Sequence, residues 1–263
     1  MTSSDQTSVL KVDKLHHAYT PSSVAIAEQS FEVNAGEFVS IVGPSGCGKT
    51  TLLKILAGLL KATSGEVALE GRTVTDVPEG LAMVFQEYSR SLQPWLKVRE
   101  NIELPLKYQS IDAAARKDRV DESLDAVGLT GAADRYPWQL SGGMQQRVAI
   151  ARAIAYRPKL MLMDEPFASV DAQTRADLED LVLDVHQKFG ITTLIVTHDI
   201  DEAVYLADRV IVLSTSPSRV IANIPVPLPL PRDQIETKER EDFVHIRSEV
   251  ATLIRRPTAT RAA

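Results

Sequence analysis

The stretch Gly43-Pro44-Ser45-Gly46-Cys47-Gly48-Lys49-Thr50 constrains this chain more than any other. It matches G-x-x-x-x-G-K-[ST] and stands between an apolar run, EFVSIV (37–42), and a helical pattern, KTTLLKILAGLL (49–60). The strand–loop–helix setting gives the motif its meaning. Glycines let the backbone curl so that its N–H groups surround phosphate oxygens, and the helix N-terminus adds about half a positive charge. Lys49 is expected on the β- and γ-phosphates of a nucleotide and the Thr50 hydroxyl on Mg²⁺, with Thr51 closing the binding stretch. Such a loop belongs in an α/β fold with a parallel core sheet.

The rest of the chain fits that core. LAMVF (81–85), KLMLMDEP (159–166), TTLIVTHD (192–199) and RVIVLS (209–214) are short apolar runs of the kind that form buried strands. Between the first two, from Glu87 to about Arg157, the pattern turns mostly helical, so a helical subdomain over about 87–157 is expected as an insertion in the α/β alternation. DAQTRADLEDLVLDVHQKF (171–189) reads as a further helix. PVPLPLP (225–231) is too proline-rich for a helix interior and reads as extended, and 232–263 as a charged helix with a frayed tail.

Several strand ends carry polar groups where open α/β sheets bind ligands. Asp164 and Glu165 end the LMLM run; Asp164 suits Mg²⁺ through water, and Glu165 suits polarising an attacking water. His198 ends TTLIVT and could hydrogen-bond a γ-phosphate and hold water in line. Gln86 closes LAMVF, where its amide oxygen could join the metal shell and report on the γ-phosphate. His16, His17, His186 and His245 read as structural or solvated. Cys47, close to a helix N-terminus, is expected to have a lowered thiol pKa and to be alkylated with loss of activity unless nucleotide protects it.

A second anion grip is present. LSGGMQQR (140–147) opens a helix with a serine and two glycines: Ser141 can cap that helix, and glycines let a phosphate approach bare backbone. Met144, Val148, Ala151 and Ala155 form an apolar stripe along it, suited to docking on a core.

Composition removes other classes. The formal net charge is −6, with 29 basic and 35 acidic residues interspersed, which argues against nucleic acid as a partner. One cysteine excludes an intramolecular disulfide framework. No apolar stretch approaches the roughly 18 residues of a membrane span, so any membrane role is expected to run through a partner.

Taken together, these stretches resemble the nucleotide-binding subunit of an ABC transporter. Tyr19 in LHHAYTP resembles the aromatic A-loop, 43–50 Walker A, Gln86 the Q-loop, LSGGMQQR the signature, LMLMDE Walker B, SVDA (169–172) with Asp171 the D-loop, and His198 the H-loop. The resemblance implies one ATPase domain over 1–263: a P-loop NTPase core with a mostly parallel sheet, an N-terminal antiparallel β region, the inserted helical subdomain, and a C-terminal extended segment and helix over 225–263. It implies ATP as substrate with Mg²⁺, adenine stacked on Tyr19, and head-to-tail pairing with a second ATPase subunit, expected to be a second copy. In that pairing Ser141 and Gly143 would meet the γ-phosphate held by the partner, with Gly142 and Gln145 nearby. It also implies permease subunits at the cytoplasmic face of the membrane and, indirectly, a solute-binding protein. Tyr88, Leu92 and Trp95 are candidates for lining the permease groove, or else pack internally. QPWLKVRENIELPL and IPVPLPLPRD are similar to importer ATPases for nitrate, sulfonate and taurine, although EYSRSLQ runs longer and GRTVTDVPEGLAMVFQ shorter than in that group. An exporter ATPase and a non-transport ABC ATPase are the alternatives.

Overall fold

The structure, a computed structural model, describes residues 8–255 apart from the side chains of Tyr88 and Ser89. The end of the expected C-terminal tail, 256–263, lies outside the described residues.

The chain opens with β1 (Ser8–Thr20) and β2 (Ser23–Asn34), an antiparallel pair. In β2, Gln29, Phe31 and Val33 are buried while Glu28, Ser30 and Glu32 are exposed, the period of two expected of a sheet with one wet face. Strand β3 (Phe38–Val42) is buried at every residue, as a strand covered on both faces must be. Helix α1 (Lys49–Leu56) follows the glycine loop but stops short of the expected residue 60. The reason is Gly58, whose φ of +71° is left-handed and whose absent Cβ would stand 2.2 Å from the Asp76 carbonyl oxygen. Strand β4 (Ser64–Leu69) and the short β5 (Arg72–Thr73) come next.

Strand β6 (Leu81–Val84) leads into helices α2 (Tyr88–Ser91), α3 (Val98–Glu103), α4 (Ala113–Ala126) and α5 (Gly142–Ala155). Pro105 stands where α3 gives way to a 3-10 turn over Leu104–Tyr108, consistent with a residue that lacks an N–H. Asp112 caps α4, as an aspartate at that position can, by accepting a hydrogen bond from the backbone of the first turn. The donor is the Ala115 N–H, at 2.7 Å. Strand β7 (Leu160–Asp164) and the long α6 (Ala172–Phe189) follow, α6 closed by left-handed Gly190.

The chain ends with β8 (Thr192–Thr197), α7 (Ile200–Leu206), β9 (Arg209–Leu213), β10 (Ser218–Pro225), α8 (Glu236–Glu239) and α9 (Glu241–Arg255). Strand β10 was not legible in the sequence, since it buries only Ser218 and Ile224 fully. The expected charged helix from 232 is instead a short helix followed by α9. After β10 the proline-rich stretch has no regular secondary structure, with Val226 and Leu228 buried and Pro227 and Pro229 exposed.

These elements form two compact units. One joins the chain up to Glu79 with the chain from Thr192; the other is Gly80–Ile191. In the first, strands run in the order β5-β4-β1-β2-β10-β9-β3-β8. There β3 pairs parallel with both β8 and β9, whereas β1 pairs antiparallel with β2 and β4. In the second, β6 and β7 pair in parallel and share that unit with α2 to α6, so it is wider than the helical stretch 87–157.

Candidate functional site

In the first unit, strand register gathers the phosphate loop and the histidine. Val42 pairs with Thr197 across β3 and β8, so Gly43 and His198 leave the carboxyl ends of adjacent parallel strands. The loop is glycine-dependent at identifiable points. A Cβ at Gly43 would stand 2.9 Å from the Cys47 Sγ and 3.0 Å from the Leu213 Cβ. Gly48 has φ +101°, and its Cβ would meet the Ala25 carbonyl oxygen at 3.2 Å.

Lys49 is buried, and its ammonium donates to the carbonyl oxygens of Gly43 (3.0 Å) and Pro44 (3.3 Å). The cation is thus held across the loop by the loop itself. Ser45, Gly46 and Thr50 are exposed and Thr51 is buried beneath them. The Tyr19 hydroxyl lies 2.9 Å from the Thr51 Oγ1, and the His17 ring meets the Tyr19 ring edge-on at 4.8 Å between centroids. Tyr19 nonetheless keeps 58% of its surface exposed. His17 is buried and His186 binds the Ile191 carbonyl through Nδ1 at 2.8 Å, both structural positions.

Cys47 departs from expectation. Its side chain is buried, and burial pushes the thiol above its ordinary value of 9.0, outweighing the opposing charge of Lys49. Proximity to a helix N-terminus lowers a thiol pKa only where the thiolate can be solvated or paired. Here the sulfur fills the space under Gly43 instead.

His198 is exposed. The next residue, Asp199, caps α7 by accepting from the N–H groups of Asp201 (2.9 Å) and Glu202 (3.2 Å). A polar hollow that His198 shares with Arg247 and Thr252 of α9 went unread in the sequence, because α9 follows far along the chain with no local signal.

The second unit holds the two acids, Gln86 and the signature. Val84 pairs with Met163, so Gln86 and the acids leave the same end of the β6–β7 pair. Asp164 is buried at the end of β7. Glu165 follows in a left-handed conformation, φ +42°. That backbone costs a non-glycine residue about 1 kcal/mol and re-aims the side chain as the strand ends. Strand β6 stops at Val84, leaving Phe85 and Gln86 exposed beyond it.

Ser141 caps α5, its Oγ accepting from the Met144 N–H at 3.3 Å. Ser141 and Gly142 are exposed, whereas Val148, Ala151 and Ala155 are buried along the expected stripe, with Met144 half-buried at its start. The Gln145 amide donates to the Pro137 (3.0 Å) and Leu140 (3.3 Å) carbonyls of its own chain and so secures the approach to the helix. Asp171 caps α6, accepting from the Thr174 N–H (3.0 Å) and hydroxyl (2.7 Å). Those bonds favour the ionised form and hold the carboxyl below the usual range. Of the permease-groove candidates, Leu92 is buried and so packs internally, Trp95 is 70% exposed, and the Tyr88 side chain lies outside the described residues.

The oxygen donors suit a hard cation. Thr50 in the first unit offers a hydroxyl, and Asp164 and Gln86 in the second a carboxylate and an amide oxygen, each an oxygen donor of the kind Mg²⁺ takes. Among the described residues no cluster of three or more His, Cys, Asp or Glu side chains offers an all-protein metal cage.

Comparison with known proteins shows the family. The family model "ABC transporter" matches residues 26–168. The nitrate import ATP-binding protein NrtC of Synechococcus elongatus is 43% identical over 252 residues, covering 93% of this chain and 38% of that protein. The bicarbonate transport ATP-binding protein CmpC of Synechocystis is 44% identical over 230 residues, covering 86% of this chain and 34% of that one. The chain thus spans little more than a third of these relatives. A putative ATP-binding protein of Brucella abortus is 44% identical, with 86% of each chain covered. Among solved structures, cbiO1 of Clostridium perfringens, part of the ABC transporter complex cbiONQ, superposes with TM-score 0.77 at 28% identity, covering 84% of this chain and 90% of that one. The cassette MJ0796, solved as a dimer with ADP and Pi, gives 0.71 at 33% identity, covering 82% and 98%.

Proposed function

Because this chain belongs to the ABC transporter family of ATP-binding proteins, we propose that it is the ATPase subunit of an importer, working as a head-to-tail pair. The observation that carries the reading is the pair of phosphate-binding devices in one chain. The 43–50 loop holds its lysine across its own carbonyls, and the separate Ser141-capped helix presents an exposed Ser141 and Gly142. One nucleotide needs one cradle, so the second device is best used on the nucleotide of a partner subunit.

In this mechanism Lys49 and the loop N–H groups bind the β- and γ-phosphates. Tyr19 stacks on adenine, and Glu165 orients the attacking water and draws its proton. His198 fixes the γ-phosphate, and Gln86 registers its presence. The partner's signature residues Ser141 and Gly143 donate to the same phosphate, and Asp171 stands at the pair interface. Thr50, and Asp164 through water, would hold Mg²⁺, which would supply charge neutralisation when bound. Preorganised charge and positioning supply most of the rate.

No described helix is long and apolar enough to cross a membrane. We place the subunit at the cytoplasmic face, attached through permease subunits that dock near exposed Trp95 and the helical stretch 87–157. The relatives named for nitrate and bicarbonate favour a small oxyanion or similar solute delivered by a solute-binding protein, within the nitrate, sulfonate and taurine type.

Complementation tests the pairing. Lys49→Ala and Ser141→Arg chains are each expected to be inactive alone. Mixed, they form one composite site from an intact loop and an intact signature, and ATP hydrolysis returns. Persistent inactivity of the mixture, with both variants folded, would place the second grip in its own chain and sink the proposal.

A further inference from the structure

Gly143 sits in the first turn of α5 and has helical backbone, so conformation does not require a glycine there. Space does. A Cβ at Gly143 would stand 2.5 Å from the Cγ2 methyl of Thr174 and 3.9 Å from its Cβ, both in the same chain and the same unit. Two hydrogen bonds to Asp171 set the direction of that methyl. Thr174 donates its hydroxyl to Asp171 Oδ2 at 2.7 Å and its N–H to Asp171 Oδ1 at 3.0 Å. A β-branched side chain has few χ1 wells, and leaving this one breaks the hydroxyl bond. The cap of α6 therefore dictates where the methyl points, and the methyl rests against the first turn of α5.

We propose that Thr174 is a positioning residue. Its methyl, locked by the bond to Asp171, seats the signature turn at Gly143, so that the 169–172 turn and the 140–147 signature are set as one body. Gly143 is then a glycine because of its own chain, in addition to any phosphate brought by a partner. This inference rests on the ATPase reading above, in which the signature acts on nucleotide.

The test is a double-mutant cycle on the full chain, measuring kcat, KM for ATP, ATP-dependent dimerisation on gel filtration and thermal midpoint. Gly143→Ala drives a methyl into Thr174 and is expected to lower kcat by roughly 100-fold, the scale of losing one preorganised donor, with monomer ATP binding retained. Thr174→Ser keeps the hydroxyl and removes only Cγ2; it is expected to lower kcat by less than about tenfold with KM unchanged. In Gly143→Ala/Thr174→Ser the new methyl occupies the vacated space. It should recover at least about tenfold over Gly143→Ala, a coupling typical of residues in contact.

Two results overturn the proposal. One is a double variant no more active and no more stable than Gly143→Ala, which would make the glycine a requirement of an incoming partner alone. The other is a fully active Gly143→Ala chain. Should Gly143→Ala fail to fold, recovery of the thermal midpoint by Thr174→Ser decides the question. Should the unmodified chain hydrolyse no ATP, the ATPase reading fails, while the melting cycle still reports on the Gly143–Thr174 contact.

Discussion

The Tyr19 hydroxyl lies 2.9 Å from the Thr51 Oγ1, tying the end of β1 to the first turn of α1 directly behind the phosphate loop. The residue, held at one end, stays more than half exposed. Tyr19→Ala is expected to weaken ATP binding by about tenfold, the scale of one aromatic–base stack. Tyr19→Phe retains the ring and loses only the tie, so its affinity should fall by no more than about threefold. Titration with a fluorescent ATP analogue compares the two; equal losses would show that the hydroxyl, and not the ring face, matters.

Glu165 combines a carboxylate with a left-handed backbone at the end of β7. Glu165→Gln keeps the size of the side chain but cannot take a proton. Turnover should fall by roughly 10²–10⁴, while ATP binding persists and an ATP-bound dimer accumulates on gel filtration. Unchanged turnover in that variant would remove Glu165 from the chemistry.

Cys47 makes a pH prediction. Burial raises the folded thiol above its ordinary 9.0, so the folded state resists ionisation that the unfolded chain accepts. The associated stability is fully present below the unfolded pKa and is lost as pH rises through the folded one. Between about pH 8 and 10 the native chain should lose stability in urea faster than Cys47→Ala does. Iodoacetamide should modify the native thiol far more slowly than the unfolded one at about pH 8. Rapid labelling of the folded chain would contradict the buried placement.

Arg209 and Glu37 meet through two parallel bonds, Nε to Oε1 at 2.7 Å and Nη2 to Oε2 at 2.9 Å, with both side chains mostly buried. Arg209 also donates to the Glu32 carbonyl at 2.8 Å, so one guanidinium links the start of β9 to the end of β2 and the residue before β3. Arg209→Ala is expected to cost about 2–3 kcal/mol, read as a lower urea midpoint. Arg209→Lys should recover little of it, because an ammonium cannot make the paired contact.

The parts of the site legible in the sequence are those whose requirement is local. The glycine loop, the LMLM run ending in Asp164 and Glu165, and the TTLIVT run ending in His198 are each short, self-contained stretches. An apolar run fixes a buried strand, its last residue fixes the sheet edge, and the groups that follow must emerge there. The Ser141 cap was legible for the same reason, since a cap bonds only to residues two or three positions onward.

What only the tertiary structure decided involves residues distant in the chain. Gly143 was read as a place for a phosphate, and the Thr174 methyl, thirty-one positions on, supplies a second reason for it. Cys47 was read as activated because its sequence neighbours form a helix N-terminus, yet desolvation in the packed loop prevails. Helix α1 stops early because Asp76 packs against Gly58. Backbone conformation and hydrophobic period are properties of a short segment and so are written in its residues. Burial, desolvation and steric fit depend on which distant atoms arrive, and only the folded chain settles that.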